Sequence, residues 1–251
     1  MTNQSITSQT VCYHLKKAGM QPVVKRKRPL LQKYHIKEWL HFAECHKEWT
    51  LEDWKKILWS DETKINRIGS DERKYVWKDA GEGLSERTVE GTLKFGGGNV
   101  MLWGCMGWDG VEYSTRIEGR MDAELYVSIL DNELMQSLEY YRIDPRNIIF
   151  QQDNDPKYTS KLAMGWFNDN DIIVMKWPAQ SPDLNPIEHL WHYLKKKLLE
   201  YEVPPKGIHE FWERIEKEWN EIPAETCQKL IESMPRRIEA VLKAKGGYTK
   251  Y

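Results

Sequence analysis

The chain has 251 residues, enough to bury a sizeable core, and its 40% hydrophobic and 12% aromatic content excludes a largely disordered protein. Apolar runs fall far short of the roughly 20 residues of a bilayer span, and polar residues follow Met1, so a soluble, intracellular protein with no membrane partner is expected. The net charge of −1 hides an asymmetry: eight basic and no acidic residues precede Glu38, leaving −9 for the rest, and such a basic arm suits a polyanion, nucleic acid, better than a merely solvated tail.

A helix is expected over Ile6 to Ala18, with Ser5 or Thr7 as cap, Val11, Leu15 and Ala18 at helical spacing, and Gly19 as stop. Ser8, Gln9 and Thr10 at its start are the short hydrogen-bonding side chains a recognition helix sets against base edges, although most short amphipathic helices merely pack. Lys16 and Lys17 near its end add positive charge. The linker from Gln21 to Pro29 carries prolines and four consecutive bases, Lys25, Arg26, Lys27 and Arg28, which suit phosphate contacts or a nuclear import signal.

Lys33 to Lys47 reads as the next helix and Thr50 to Trp54 as a capped turn. The first strand, Ile57 to Trp59, would end at Ser60-Asp61-Glu62, and Tyr75 to Trp77 would be a second. A polar, glycine-containing excursion runs from Lys78 to Gly98, followed by strands over Val100 to Trp108 and Val111 to Ile117 around a Gly110 turn. Asp122 to Tyr141 is the clearest helix, with Leu125, Ile129, Leu130, Leu134 and Leu138 on one face. Then come strand Ile148 to Gln151, helix Ser160 to Asn168, strand Ile172 to Met175 and a long helix opened by Pro186 and running to about Tyr201. Ile208 to Asn220, Glu225 to Ser233 and Pro235 to Ala244 are helical and charged. Adjacent strands followed by strands alternating with helices give an α/β fold: a mixed sheet flanked by helices, with a short helical N-terminal arm and a helical C-terminal extension.

Ligands in such folds gather at the carboxyl ends of strands. Asp61 and Asp153 each stand just past a predicted strand, and Glu188 stands in the first turn of a predicted helix. Each has a bland reading: Asp61 as a turn cap, Asp153 as a turn former in Asp153-Asn154-Asp155-Pro156, and Glu188 as the partner of Asn185 in a capping box with Pro186 at the first helical position. Together, three acids at element ends of one sheet form a candidate site for two Mg²⁺ or Mn²⁺ ions. Such hard cations take oxygen ligands, and two of them about 3.5–4 Å apart clamp an in-line phosphate displacement.

Other chemistries fit less well. The order Glu188-His189-x-x-His192 is not the zinc-protease order, Gly96-Gly97-Gly98 lacks the Lys-Ser/Thr of a phosphate loop, and no nucleophile elbow is present. The four cysteines are scattered and read as reduced thiols; a zinc set of Cys12, His14, Cys45 and His46 would match no common finger spacing.

Four blocks carry a family resemblance: Trp59-Ser60-Asp61-Glu62; Lys94 through Cys105 (KFGGGNVMLWGC); Phe150 through Lys157 (FQQDNDPK); and Trp177 through Trp191 (WPAQSPDLNPIEHLW). In these blocks the chain resembles the catalytic domain of Tc/mariner-type DDE transposases, closest to the Tc branch, over about Thr7 to Tyr201. The resemblance implies a ribonuclease-H-like fold with Asp61, Asp153 and Glu188 as catalytic, metal-binding acids, and a clamp-like insertion near 78–98. It implies strand cleavage at terminal inverted repeats and joining to a TA target on double-stranded DNA, by a nuclear protein that is a homodimer when DNA-bound, with no small-molecule substrate. Domains would be a helix-turn-helix remnant and basic linker (1–29), the catalytic domain (30–205) and a helical extension (206–251). Two departures stand out: the first DNA-binding unit and most of the second are expected to be missing, and Tyr158 replaces the family's usual His. The alternatives are a non-catalytic or domesticated DNA-binding protein, or a stand-alone ribonuclease-H-like nuclease, which the arm and insertion disfavour.

Overall fold

The computed structural model describes residues 7–21, 28, 30–67 and 98–251. They divide into two compact units after Leu30. In the first, α1 (Ser8–Lys17) is capped by Thr7, whose hydroxyl accepts from the Thr10 N–H at 3.3 Å. Its residues are all exposed, including Val11 and Leu15. Lys25, Arg26, Lys27, the predicted strand Tyr75 to Trp77 and nearly all of the excursion from Lys78 to Gly98 lie outside the described residues.

The second unit is built on one five-stranded sheet: β1 (Ile57–Asn66), β2 (Asn99–Gly107), β3 (Gly110–Ile117), β4 (Ile149–Gln151) and β5 (Ile173–Val174), ordered β3-β2-β1-β4-β5. Pairing is antiparallel between β3, β2 and β1 and parallel between β1, β4 and β5, the mixed sheet that the element order predicts. One expectation needs correction. Strand β1 does not end at Trp59 but runs on to Asn66, because Thr63 and Ile65 continue the inward alternation that Ile57 and Trp59 begin. Asp61 is therefore inside a strand, not beyond one. At its far end Asn66 pairs with Asn99, and the Arg67 N–H bonds the Gly98 carbonyl at 3.0 Å, so the chain leaves and re-enters the sheet at one place.

Alternation along the strands feeds two apolar layers. Ile57, Trp59, Val100 and Leu102 pack with α2 (Lys33–His46), α3 (Leu51–Trp54), α7 (Ile187–Leu199), α8 (Ile208–Asn220), α9 (Ala224–Ile231) and α10 (Met234–Lys243). Leu58, Trp103 and Phe150 pack with α4 (Ala123–Ile129), α5 (Met135–Tyr141) and α6 (Lys161–Asp169). Phe211, Ile215, Trp219, Ile238 and Val241 of the C-terminal helices thus share a core with the central strand. Trp191 and Trp219 stack with ring centroids 5.0 Å apart. They press on Gly104 of β2, where a Cβ would lie 3.0 Å from both rings, which is why a strand interior carries a glycine there.

The helix predicted over Asp122 to Tyr141 contains a π turn, Leu130–Leu134, between α4 and α5. Asp122 caps its start as expected. Within the turn the Asn132 side chain donates to the Ser128 carbonyl at 2.7 Å, competing with the backbone ladder, while Leu130 and Leu134 both remain fully buried. No helix among the described residues is long and apolar enough to cross a membrane.

Candidate active site

The three acids reach one region from three elements. Asp61 leaves β1 on the same side as Ile57 and Trp59, the layer that contains α7, and Glu188 lies in the first turn of α7. Asp153 follows the last residue of β4, Gln151, beside β1 in the sheet. Ser60 links the two strands, donating its hydroxyl to the Gln151 carbonyl at 2.7 Å and its N–H to the Gln151 side-chain oxygen at 3.3 Å.

The electrostatics describe a site rich in negative charge. Burial pushes the Asp61 carboxyl well above its ordinary value, and the charges of Glu188, Asp153 and Glu62 push it further, against the Glu62 N–H, which donates to Asp61 Oδ1 at 2.7 Å. Asp153 is also raised, mainly by burial, while the Asp155 N–H at 2.9 Å on Oδ1 and the nearby Lys157 pull it back. Each shift favours the neutral acid until a cation arrives. Three carboxylates on converging elements, with the Asp61 carboxyl raised by burial and by its acidic neighbours, offer the oxygen donors and negative charge that Mg²⁺ and Mn²⁺ prefer. Among the described residues no three His, Cys, Asp or Glu side chains converge closely enough to hold one ion as they stand.

The turn before α7 differs from the capping-box reading. Pro186 is the N-cap, without a side-chain cap bond. Asn185 instead gives its Nδ2 to Asp61 Oδ2 at 3.2 Å, while its Oδ1 accepts from the Ile187 N–H at 3.4 Å. Glu188 is thereby exposed at the helix start.

Glu62 points to the opposite side of β1. It is raised chiefly by burial, accepts the Tyr158 hydroxyl, and pairs with Lys157 at 3.1 Å, which also reaches Asp155 at 2.9 Å. The buried Tyr158 ring meets Tyr126 edge-on at 4.4 Å, and Tyr126 donates to Gln152 at 2.6 Å. Tyr158 thus anchors Glu62 and packs on Tyr126.

Residues 56–207 match the family described as DDE superfamily endonuclease. The chain belongs to the DDE endonucleases. It is 37% identical over 250 residues to the transposable element Tc1 transposase of Caenorhabditis elegans, across 99% of this chain and 90% of that protein. It is also 37% identical over 251 residues to the Tcb1 transposase of Caenorhabditis briggsae, with the same coverage. The Mos1 transposase in a paired-end complex with the left transposon end shares its fold at a TM-score of 0.83 and 22% identity, over 98% of this chain and 72% of that one. These matches bear out the resemblance to Tc/mariner-type transposases and the ribonuclease-H-like sheet.

Beside Glu188, this DDE endonuclease has a cleft of about 560 Å³ whose rim includes His192, Lys195, Lys196, Arg67 and Arg214. Ser8, Gln9, Thr10, Lys16 and Lys17 are exposed on α1 and Arg28 is half-buried, all in the other compact unit. Sequence reasoning missed Asn185 as a partner of Asp61, and missed Arg237, which is 1% exposed on α10. A signal for the latter existed: Arg237 falls on the apolar stripe formed by Met234, Ile238 and Val241.

Proposed function

We propose that this chain is the catalytic part of a Tc-like transposase that cuts double-stranded DNA at transposon ends and joins the freed 3′ ends to a TA target. The observation that carries the reading is the Asp61 carboxyl, raised by burial and by the charges of Glu188 and Asp153. Asp61, Asp153 and Glu188 would hold two Mg²⁺ or Mn²⁺ ions, which would supply charge neutralisation for the in-line displacement at phosphorus. The chain's own part is to hold these acids on rigid elements, with Asn185 and the Glu62 N–H orienting Asp61. Lys195 and Lys196 along the cleft suit the DNA backbone, while Ser8, Gln9 and Thr10 of α1 suit base edges, and Lys16, Lys17, Lys25, Arg26, Lys27 and Arg28 suit phosphates. The Mos1 paired-end complexes support binding of double-stranded DNA by a homodimer, and the transposons of the nematode relatives support action in a nucleus.

Asp153→Asn is expected to keep the fold, with a melting temperature at neutral pH no lower than that of the unmodified chain, and to abolish Mg²⁺- or Mn²⁺-dependent nicking of supercoiled DNA. Undiminished nicking by that variant sinks the proposal. A second reading, a DNA-binding protein without catalysis, rests on the exposed Lys16 and Lys17 of α1 and the basic residues that follow it. It predicts metal-independent DNA retention, lost on deletion of residues 1–29, and no nicking by the unmodified chain.

A further inference from the structure

The turn that carries Asn185 and Glu188 is held from behind by the end of the chain. Arg237 of α10 is almost fully buried, with the charges of Tyr251 and Asp183 nearby, and among the described residues its hydrogen bonds go to main-chain and neutral side-chain atoms: Nη1 donates to the Asp183 carbonyl at 2.8 Å and lies 3.4 Å from the Asn185 carbonyl. Its Nε donates to Ser233 Oγ at 2.9 Å, Nη2 faces His189 Nδ1 at 3.4 Å, and the Tyr251 ring lies 4.8 Å from its guanidinium carbon. Asp183, also 1% exposed, accepts the Thr249 N–H at 2.8 Å and the Thr249 hydroxyl at 2.9 Å on the same carboxylate oxygen. The tail is itself pinned to α2. Gly246, at φ +81°, lies so close that a Cβ would fall 2.1 Å from the Ile36 carbonyl oxygen, and the Leu31 N–H donates to the Tyr248 hydroxyl at 3.1 Å.

We infer that Arg237 and Thr249 are positioning residues for the carboxylate site, clamping the 183–185 turn so that Asn185 reaches Asp61 and α7 presents Glu188. This rests on the proposed metal-binding role of those acids. Burying this cation costs desolvation that the Asp183 and Tyr251 charges offset only in part, and its planar guanidinium holds two carbonyls and a hydroxyl in one fixed geometry, which a freely rotating ammonium does not. The clamp also gives the helices beyond residue 206 a task in the site: their last turn and tail set the backbone that carries one of the three acids. Groups that orient a metal's ligands typically tune its affinity about 10–100-fold.

The test uses the full chain and Mn²⁺ alone, with binding followed by electron paramagnetic resonance of the free ion, melting recorded in parallel, and Asp153→Asn as reference. Arg237→Gln is expected to weaken Mn²⁺ binding about tenfold, and Thr249→Val to weaken it in the same direction by less, at temperatures where both are folded. Arg237→Lys should recover only part of the loss. Because Arg237→Gln risks unfolding, Thr249→Val, which deletes a single hydroxyl, decides the matter. Folded Thr249→Val and Arg237→Lys proteins that bind Mn²⁺ as tightly as the unmodified chain overturn the inference, leaving a purely structural clamp. Mn²⁺ binding that is absent from the unmodified chain, or indifferent to Asp153→Asn, overturns the metal-site reading and this inference with it.

Discussion

Asn185 donates its side-chain N–H to Asp61 Oδ2 at 3.2 Å, joining residues 124 positions apart and tying the turn before α7 to the middle of β1. Asn185 is buried, so removing its amide leaves one oxygen of an already crowded carboxyl without that donor. Asn185→Ala is expected to lower stability by about 1–3 kcal/mol in denaturant melts. Asn185→Asp should do more harm at pH 8 than at pH 5, since a fourth negative group then faces Asp61. Equal losses at both pH values would show that the Asn185 contact carries no charge dependence.

Asp61, Asp153 and Glu62 all hold their protons more tightly in the folded chain than their ordinary values of 3.8, 3.8 and 4.5. Between those values and the raised ones the native state binds more protons than the unfolded chain, so stability falls as pH rises. Asp53, Asp144, Asp155 and Glu210 are lowered and act the other way only up to about pH 5, so above that the metal-free protein should lose stability until the raised groups have ionised. Asp61→Asn should flatten that decline and raise the melting temperature at neutral pH, as should Mn²⁺ on the unmodified protein. Calorimetry across the pH range decides, and a metal-free protein that stabilises steadily from about pH 5 to 7 contradicts the charge-crowded site.

Much of this was readable from residue order alone. Hydrophobic alternation and capping residues located most elements to within a residue or two, because Asp122, Ser160 and Thr50 make the caps their side chains suggest. The candidate acids were singled out through the motif blocks and their expected places at element ends, a placement that holds for Glu188 at the start of α7 but not for Asp61, which lies inside β1. Reading β1 as too short came from Ser60, Asp61 and Glu62, polar residues that break an apolar run. The sheet nevertheless carries them inward, Ser60 through a cross-strand bond and Asp61 toward α7. Contacts such as Arg237 to the Asp183 carbonyl join positions 54 apart and use the backbone, which no side-chain pattern announces.

Tyr158 offers a third prediction. Its hydroxyl donates to Glu62, on the opposite side of β1 from Asp61, and its ring is buried against Tyr126. Tyr158→Phe keeps the ring and removes the donor, so a loss of about 0.5–1.5 kcal/mol is expected, with Mn²⁺ affinity unchanged. A weakened Mn²⁺ site in the folded variant would mean that Glu62 takes part in ligation.

Gly104 carries the last prediction. The stacked Trp191 and Trp219 rings meet β2 there, and an added methyl would lie 3.0 Å from both. Both rings are buried and stacked on each other, so neither can move aside without disturbing the other. Gly104→Ala is expected to destabilise the fold by about 1–3 kcal/mol. Since Trp191 lies on α7 three residues after Glu188, the same displacement should weaken Mn²⁺ binding in protein that remains folded. Denaturant titration and Mn²⁺ binding on one preparation separate the two effects. Unchanged stability would mean that the stack yields freely to the methyl group, and lost stability with intact binding would mean that α7 absorbs the push without shifting its first turn.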